Sequence, residues 1–475
     1  PTATVSVIVQ KAGVGSSLEA MVSDLGGHVH QNLSIINAFS AELPASAVRQ
    51  LASAEEVRWV SLDAAMLETG KPVSGGTTTT TPITTCTQCV NLSKLKNEWI
   101  YTLGVDKVWN TAPYLQGQGI GIAVVDSGIT SHDDFGNRVI TSEKFNSLTS
   151  NMSDKYGHGT HVAGIIAGNG VASGGQYMGI APQANLINVK VSDDIGMATA
   201  SDVVASLQWI LTNKDRHNIR VVNMSLNSAV PESYHTNPIS AAVEILWFNG
   251  IVVVVSAGNN GTATLYPPAN DPFVITVGAT DIVRTPAIGD DVIASFSAYG
   301  RAENGATKPD IVAPGYKIVS TLADSSSLAQ TYPAYIEPSI TGLSYFKISG
   351  TSMAAPMVAG AVALLLQDEP GLTPDQVKYR LMATAVKNKR TWPGYDSARA
   401  GSGYLNVHAA VNGTTTESAN TNIAASQLLW TGSEPITWGS VNWGSVNWGS
   451  VNWGSVNWGS VNWGSVNWGS DYWGP

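Results

Sequence analysis

The sequence predicts an α/β protein built on a doubly wound parallel sheet with helices on both faces. A small α+β unit precedes that sheet, and a low-complexity repeat tail follows it. Three observations carry this expectation. Between residues 96 and 412, β-branched apolar runs alternate with helical stretches, and strands apolar on both faces belong to a sheet covered from both sides. Residues 1–69 follow a separate βαββαβ rhythm. Residues 436–475 repeat Trp-Gly-Ser-Val-Asn.

In the first unit, Val5–Gln10 reads as a strand and Ser17–Leu25 has helical spacing. His28–Leu43 gives two strand-like stretches with a turn near Asn32, Pro44–Ala54 a second helix, and Val57–Leu62 a closing strand. Residues 70–95 read as a linker, with Gly75, Gly76 and Thr77–Thr81 between Pro72 and Pro82. Such composition cannot bury a core and is expected to be protease-accessible. In the α/β region, strands are expected at Ile120–Val125, Leu186–Val191, Val221–Leu226, Ile251–Val255 and Val274–Val277. Helices are expected at His161–Ala167, Asp202–Leu211, Ile239–Phe248, Ser352–Gln367 and Pro374–Ala385. Residues 413–435 read as a second linker before the repeat.

The 475 residues carry 25 basic and 35 acidic side chains, a formal charge of −10. That balance argues against nucleic acid, which is bound by clustered Lys and Arg. No apolar run approaches the roughly 20 residues that span a bilayer. An export signal, if one existed, would already be absent from a chain beginning at Pro1. Two cysteines cannot make a disulfide framework.

Three segments carry chemistry. Val124-Val125-Asp126-Ser127-Gly128 puts a carboxylate at the C-terminal end of a buried strand, where open α/β sheets place their active sites. Taken alone, Asp126 also reads as a strand-end residue capping a turn. In the segment Gly157–Gly164, His158 opens an apolar helical run and is placed to act as a general base. His158 and His161 could also suggest metal, but no acidic third ligand follows at helical spacing, and no metal ligands are assigned. In the segment Ile348–Pro356, Ser352 stands where a helix N-terminus favours developing negative charge. Alone, it reads equally as a plain N-cap. Pro356 is expected within the first turn, where its missing N–H is not needed.

Together, in the order Asp, His, Ser, these motifs resemble those of the subtilisin-like serine proteases. The resemblance extends to Lys308–Gly315 and Ser256-Ala257-Gly258-Asn259, and so covers roughly residues 96–412. It implies a subtilisin-like fold and a secreted serine endopeptidase acting on polypeptides. Ser352 would be the nucleophile, His158 the general base and Asp126 the group orienting the imidazole, with Asn259 as an oxyanion donor. Ser225, Leu226 and Asn227 match the family's substrate-binding edge strand. Asn227 stands where relatives usually carry Gly, and Leu265 falls near the floor of the pocket for the P1 residue, which donates the scissile carbonyl. Backbone-driven recognition implies broad specificity with an uncharged P1 side chain. No cofactor is implied for catalysis. Structural calcium is common in the family but is assigned to no residues here: Asp134 corresponds to a ligand position, the loop Asn169–Tyr177 departs from the usual calcium loop, and the residues themselves favour an exposed turn aspartate.

Residues 1–69 resemble the family's inhibitor-type propeptide, a ferredoxin-like unit, through Asn37–Leu43 and Val57–Val60. The resemblance implies that this unit assists folding and inhibits the enzyme intramolecularly, laying its tail, Asp63–Lys71, in the active site before self-cleavage. Cys86 and Cys89 form a CxxC, read mainly as a local disulfide of an oxidising compartment. The repeat places Trp at every fifth position from Trp438 to Trp473, a period matching neither helix nor strand. A flexible tail, a small solenoid and a stacked aromatic surface that binds a polymer or cell surface all remain open. The rival reading of the whole chain is a surface-binding or adhesive protein with this repeat as its main functional element.

Overall fold

A computed structural model describes residues 4–13, 15–68, 89–283 and 285–430. The repeat at 436–475, most of the first linker and Cys86 lie outside the described residues. Cys89 is disulfide-bonded.

An eight-stranded sheet forms the centre. From one edge it runs Val292–Ile293, Ile275–Asp281, Val252–Ser256, Ile219–Met224, Gly121–Asp126, Asn185–Lys190 and Val139–Lys144, with Ile311–Pro314 also paired to Ile275–Asp281. Every pairing is parallel except that of Val292–Ile293. Gly121–Asp126 and Val252–Ser256 are buried at every residue, which is why they read as unbroken apolar runs. Chain order reverses around Gly121–Asp126, since later strands add first to one side of it and then to the other. Such a switch point opens a crevice at the strand C-termini, and Asp126 is the last residue of that strand.

Helix Thr351–Asp368 packs against Ile219–Met224, Val252–Ser256 and Ile275–Asp281, with His158–Ala167 beside it. By length and composition it could cross a bilayer, contrary to the sequence expectation. It is instead the core helix, buried at every residue from Thr351 to Leu366. A second pair, Ala200–Asn213 and Pro238–Phe248, carries the N-terminal unit.

That unit is a four-stranded antiparallel sheet ordered His28–Leu33, Ala38–Pro44, Thr4–Lys11, Val57–Leu62, with helices Ser17–Asp24 and Val48–Ala52. The turn expected near Asn32 falls later, where Ser34–Ile36 form a 3₁₀ turn and Asn37 adopts a left-handed conformation. Period-two alternation divides Thr4–Lys11 between two cores. Val7 and Val9 join Leu18, Val22, Phe39 and Leu51 in the unit's own core, whereas Ile8 belongs to the main core with Leu33, Ile35 and Ile36. The sheet is therefore covered on one face by its own helices and on the other by the α/β body.

The 413–435 segment differs from the expected linker in its described part. Asn420 Nδ2 donates to Phe273 O at 3.0 Å and to Asp375 Oδ1 at 2.7 Å. The Ser426 N–H donates to buried Glu244 at 2.7 Å, and Ala425, Leu428 and Leu429 are buried. From there the segment reaches the N-terminal unit: Gln10 Nε2 donates to Leu428 O at 2.8 Å, and the Arg58 guanidinium donates to Gln427 O and Trp430 O. Residues 89–95 likewise pack on the body, with Leu95 buried and the Val90 N–H donating to Asn110 Oδ1.

Candidate active site

Asp126 and Ser127 end their strand in a buried network. Asp126 Oδ1 accepts from the Ser127 N–H at 2.8 Å and lies 2.9 Å from His158 Nδ1, which is 3.1 Å from Oδ2. Ser127 Oγ donates to Asp154 Oδ1 at 2.9 Å and accepts the Gly159 N–H at 2.9 Å. Asp154 also accepts from the N–H groups of Gly157 and Thr160, at 2.6 and 2.8 Å. These acceptors satisfy the first N–H groups of helix His158–Ala167, which would otherwise be orphaned. Gly159 permits the approach, because a Cβ there would come within 2.3 Å of Gly128 O and 3.0 Å of Asp126 Oδ1. His158 thus meets Asp126 because two loops are fastened together beneath it.

His161, one turn further on, does not join a metal site. Its Nε2–H faces the carbonyl oxygens of Phe346 and Ile318 at 2.9 and 3.2 Å. Burial pushes its pKa down to about 3, so it is a neutral core residue.

Ser352 is the second residue of helix Thr351–Asp368. Its Oγ donates to Ser225 O at 3.0 Å, and Ser225 Oγ donates back to Ser352 O at 3.1 Å. The second bond answers a question the sequence raises. Pro356 lies in the second turn, not the first as expected, and has no N–H for the carbonyl four residues earlier. That carbonyl belongs to Ser352, and the Ser225 hydroxyl takes the place of the missing N–H. Asn259 Oδ1 accepts from both the N–H and Oγ1 of Thr351 at 2.9 Å. The amide is thereby oriented with its oxygen toward the helix and its Nδ2 directed elsewhere.

Leu226–Ser228 is one edge of a three-stranded antiparallel sheet whose middle strand is Ala65–Glu68 from the N-terminal unit and whose far edge is Met197–Thr199. Leu226 pairs with Glu68, Asn227 with Leu67 and Ser228 with Met66. Met66 is buried and Leu67 is exposed. The Glu68 side chain points inward, with Oε2 3.3 Å from His158 Nδ1 and Oε1 accepting from Ser192 Oγ at 2.8 Å. A single strand residue therefore touches His158 and pairs beside Ser225, the partner of Ser352. His158 Nε2 is buried and makes no hydrogen bond among the described residues.

Asn227 Nδ2 donates to Ser256 O at 3.0 Å, and its Oδ1 would lie 3.4 Å from a Cβ on Gly258. It thus bridges the edge strand to the segment leading to Asn259. Leu265 is half-buried in the loop whose Pro267 O accepts the Ser228 N–H at 2.7 Å.

Asp134 is not the exposed turn aspartate that the residues favoured. It is fully buried, with Oδ1 accepting from the Ala172 N–H and Oδ2 from the Tyr345 hydroxyl, both at 2.8 Å. Calcium takes six to eight oxygen ligands. Here both carboxylate oxygens are engaged by protein donors, and the loop Asn169–Tyr177 supplies no second carboxylate, so these residues do not fit the ion.

With this geometry in place, comparison with known proteins decides the family. The subtilase family model matches residues 117–424. The chain belongs to the subtilase family. It is 40% identical to serine protease AprX of Bacillus subtilis over 306 residues, covering 63% of this chain and 67% of that protein. It is 33% identical to subtilisin NAT of Bacillus subtilis subsp. natto over 399 residues, covering 82% and 84%. Fervidolysin from Fervidobacterium pennivorans, a keratinolytic enzyme related to subtilisin, superposes with a TM-score of 0.69 at 26% identity, over 87% of this chain and 61% of that one. The chain thus spans about three fifths of that solved structure. A pentapeptide-repeat model matches residues 437–474 in eight copies.

This subtilase is accordingly a serine endopeptidase acting on polypeptides, and subtilases need no cofactor for catalysis. Three features of its site escape motif reading: Asp154 under the histidine loop, the Ser225–Ser352 exchange, and the seat of Glu68 against Ser192. Each joins residues far apart in the chain. Glu68 had a sequence signal as a member of the expected tail Asp63–Lys71, and Ser225 and Ser352 stood in motifs that gave no sign of their mutual bonds, whereas Asp154 and Ser192 had none.

Proposed function

We propose that Asp126, His158 and Ser352 carry out acyl transfer on extended peptides, with Asn259 and the Ser352 N–H as oxyanion donors. The enzyme is made as a secreted, self-processing zymogen of broad specificity. The carrying observation is the strand Ala65–Glu68, held between Leu226–Ser228 and Met197–Thr199 as a substrate would be. Its register supports a reacting position one residue beyond Glu68. Glu68 pairs with Leu226, so the next peptide residue falls opposite Ser225, whose carbonyl receives the Ser352 hydroxyl.

Rotation about the Ser352 Cα–Cβ bond turns Oγ from Ser225 O toward His158 Nε2. Oγ then attacks the carbonyl carbon as its proton passes to Nε2. Asp126 stabilises the resulting imidazolium through Nδ1–H. The oxyanion is met by Asn259 Nδ2, whose amide is fixed by Thr351, and by the Ser352 N–H at the helix N-terminus. The imidazolium returns the proton to the leaving amine, and water reverses the sequence to free the carboxylate. Pairing through main-chain groups on both sides supports tolerance of many side chains.

N-terminal sequencing of the purified enzyme tests the zymogen reading. The register predicts that processed chains begin at Gly70 or further along the linker, no later than about Asn97, and that Ser352→Ala leaves residues 1–68 covalently attached. An active wild-type enzyme that keeps those residues in one continuous chain would contradict it.

A further inference from the structure

The carboxyl of Glu68 has no part in acyl transfer, yet it is buried at the centre of the site with 2% of its side chain exposed. Its Oε1 accepts from Ser192 Oγ, just past the strand Asn185–Lys190. Its Oε2, beside His158 Nδ1, has no hydrogen-bond partner among the described residues. The donor atoms of Glu68, Asp126 and His158 lie within 4.8 Å of one another. The titratable groups facing this carboxyl are Asp126 at its strand end, Asp154 and Tyr156 from the loop before His158, and His158 itself. Burial keeps the Tyr156 hydroxyl protonated. Lys190 directs its ammonium to Ser127 O and toward Asp194. An ionised Glu68 would therefore face two acidic groups, Asp126 and Asp154, with Ser192 as its one hydrogen-bond donor among the described residues.

We propose that Ser192, with His158 and Asp126, forms a subsite for the residue preceding the scissile one (P2) that takes a side chain ending in a neutral carboxamide or carboxylic acid, so that Gln is preferred to ionised Glu. The inference rests on reading Ala65–Glu68 as lying where a substrate lies. A neutral end group can accept from Ser192 through its carbonyl oxygen and donate from its other atom toward the Asp126 carboxylate. A carboxylate can only accept, and burying it unpaired is costly.

The pH dependence follows in sign. Burial first, and Asp126 second, raise the bound carboxyl well above its usual 4.5. A peptide with Glu at P2 must then take up a proton on binding. Its binding weakens as pH rises from about 4.5 toward the raised value, by up to about tenfold per pH unit. A Gln peptide has no such slope. The enzyme's own tail, which places Glu68 in this subsite, is held most firmly in acid and loosens as pH rises.

Four peptides identical except for Gln, Glu, Ala or Lys at P2 test this with the purified chain, its active sites counted by fluorophosphonate so that rates are per competent serine. The expected kcat/KM at pH 8 is about tenfold or more higher for Gln than for Glu, with the ratio falling to about threefold or less near pH 5. Ser192→Ala is expected to lower the Gln-to-Ala ratio about fivefold. Equal rates for Gln and Glu at pH 8, a ratio that does not change with pH, or a Gln-to-Ala ratio untouched by Ser192→Ala would each overturn the subsite while turnover of the Ala peptide upholds the protease. Absence of turnover for all four peptides with fluorophosphonate-reactive enzyme would overturn the substrate-like reading of the tail and the subsite with it.

Discussion

Asn259 shows how a single side chain is made ready for chemistry. Its Oδ1 is held by two donors of Thr351, the residue before the proposed nucleophile. The amide proposed to meet the oxyanion is therefore fixed before substrate arrives, so that in this role it needs no reorganisation during the reaction. Asn259→Ala is expected to lower kcat by about 10²–10³-fold, the cost of losing one such donor in a related protease, with KM changing far less. Steady-state kinetics on one peptide checks this, and a fall confined to KM would count against the role. At this scale the residues proposed to react stand out in the sequence because each sits in a short motif at the end of a strand or the start of a helix. Their supports were not. Ser225 bonds to Ser352 across 127 positions of sequence, and Ser192 meets Glu68 across 124. A serine preceding a strand of ordinary composition carries no sign of such a partner.

Buried elements are the ones that composition reveals. Val252–Ser256 and Pro238–Phe248 fall where apolar spacing places them, to within a residue. Val139–Lys144 was missed because it is a half-exposed edge strand of mixed polarity. The three-stranded antiparallel sheet of Ile318–Thr321, Ser344–Ile348 and Ile336–Pro338 was missed because its strands are too short to show a period. The stretch after Asn412 reads as a linker for a different reason. It is polar, and it is anchored by hydrogen bonds to buried Glu244 and Asp375 as well as by its few apolar residues. Pattern reading weighs apolar periodicity and does not see such anchors. At its end this segment clasps the N-terminal unit through Gln10 and Arg58. Charge-assisted hydrogen bonds of a partly exposed group contribute on the order of 1 kcal/mol. In the Ser352→Ala background, where the unit stays attached, Arg58→Ala is expected to speed amide hydrogen exchange in Val57–Leu62 about fivefold. Unchanged exchange would mean that the clasp adds nothing to docking.

Across the whole molecule, two bodies share one seam. The N-terminal sheet buries Ile8 and its neighbours in the main core, the C-terminal segment bonds to it through Gln10 and Arg58, and residues 65–68 run on as a strand paired with Leu226–Ser228. Folding, occupancy of the cleft and the placement of Glu68 are thereby linked. The α/β architecture and the α+β unit were legible from periodicity, and the chain's membership in the subtilase family from the motifs of the α/β region. How the two bodies meet was not, because the docking face of the small unit alternates with its own core residues along the same strands. Central to the whole account is that this fold brings Ser352, His158 and Asp126 to bear on one peptide bond. Mass-spectrometric mapping of a fluorophosphonate adduct on the purified enzyme tests that most directly. The predicted result is a single adduct on Ser352, with peptide hydrolysis lost in proportion to labelling. Hydrolysis that persists after Ser352 is fully modified, or an adduct on another residue that abolishes it, would contradict the account.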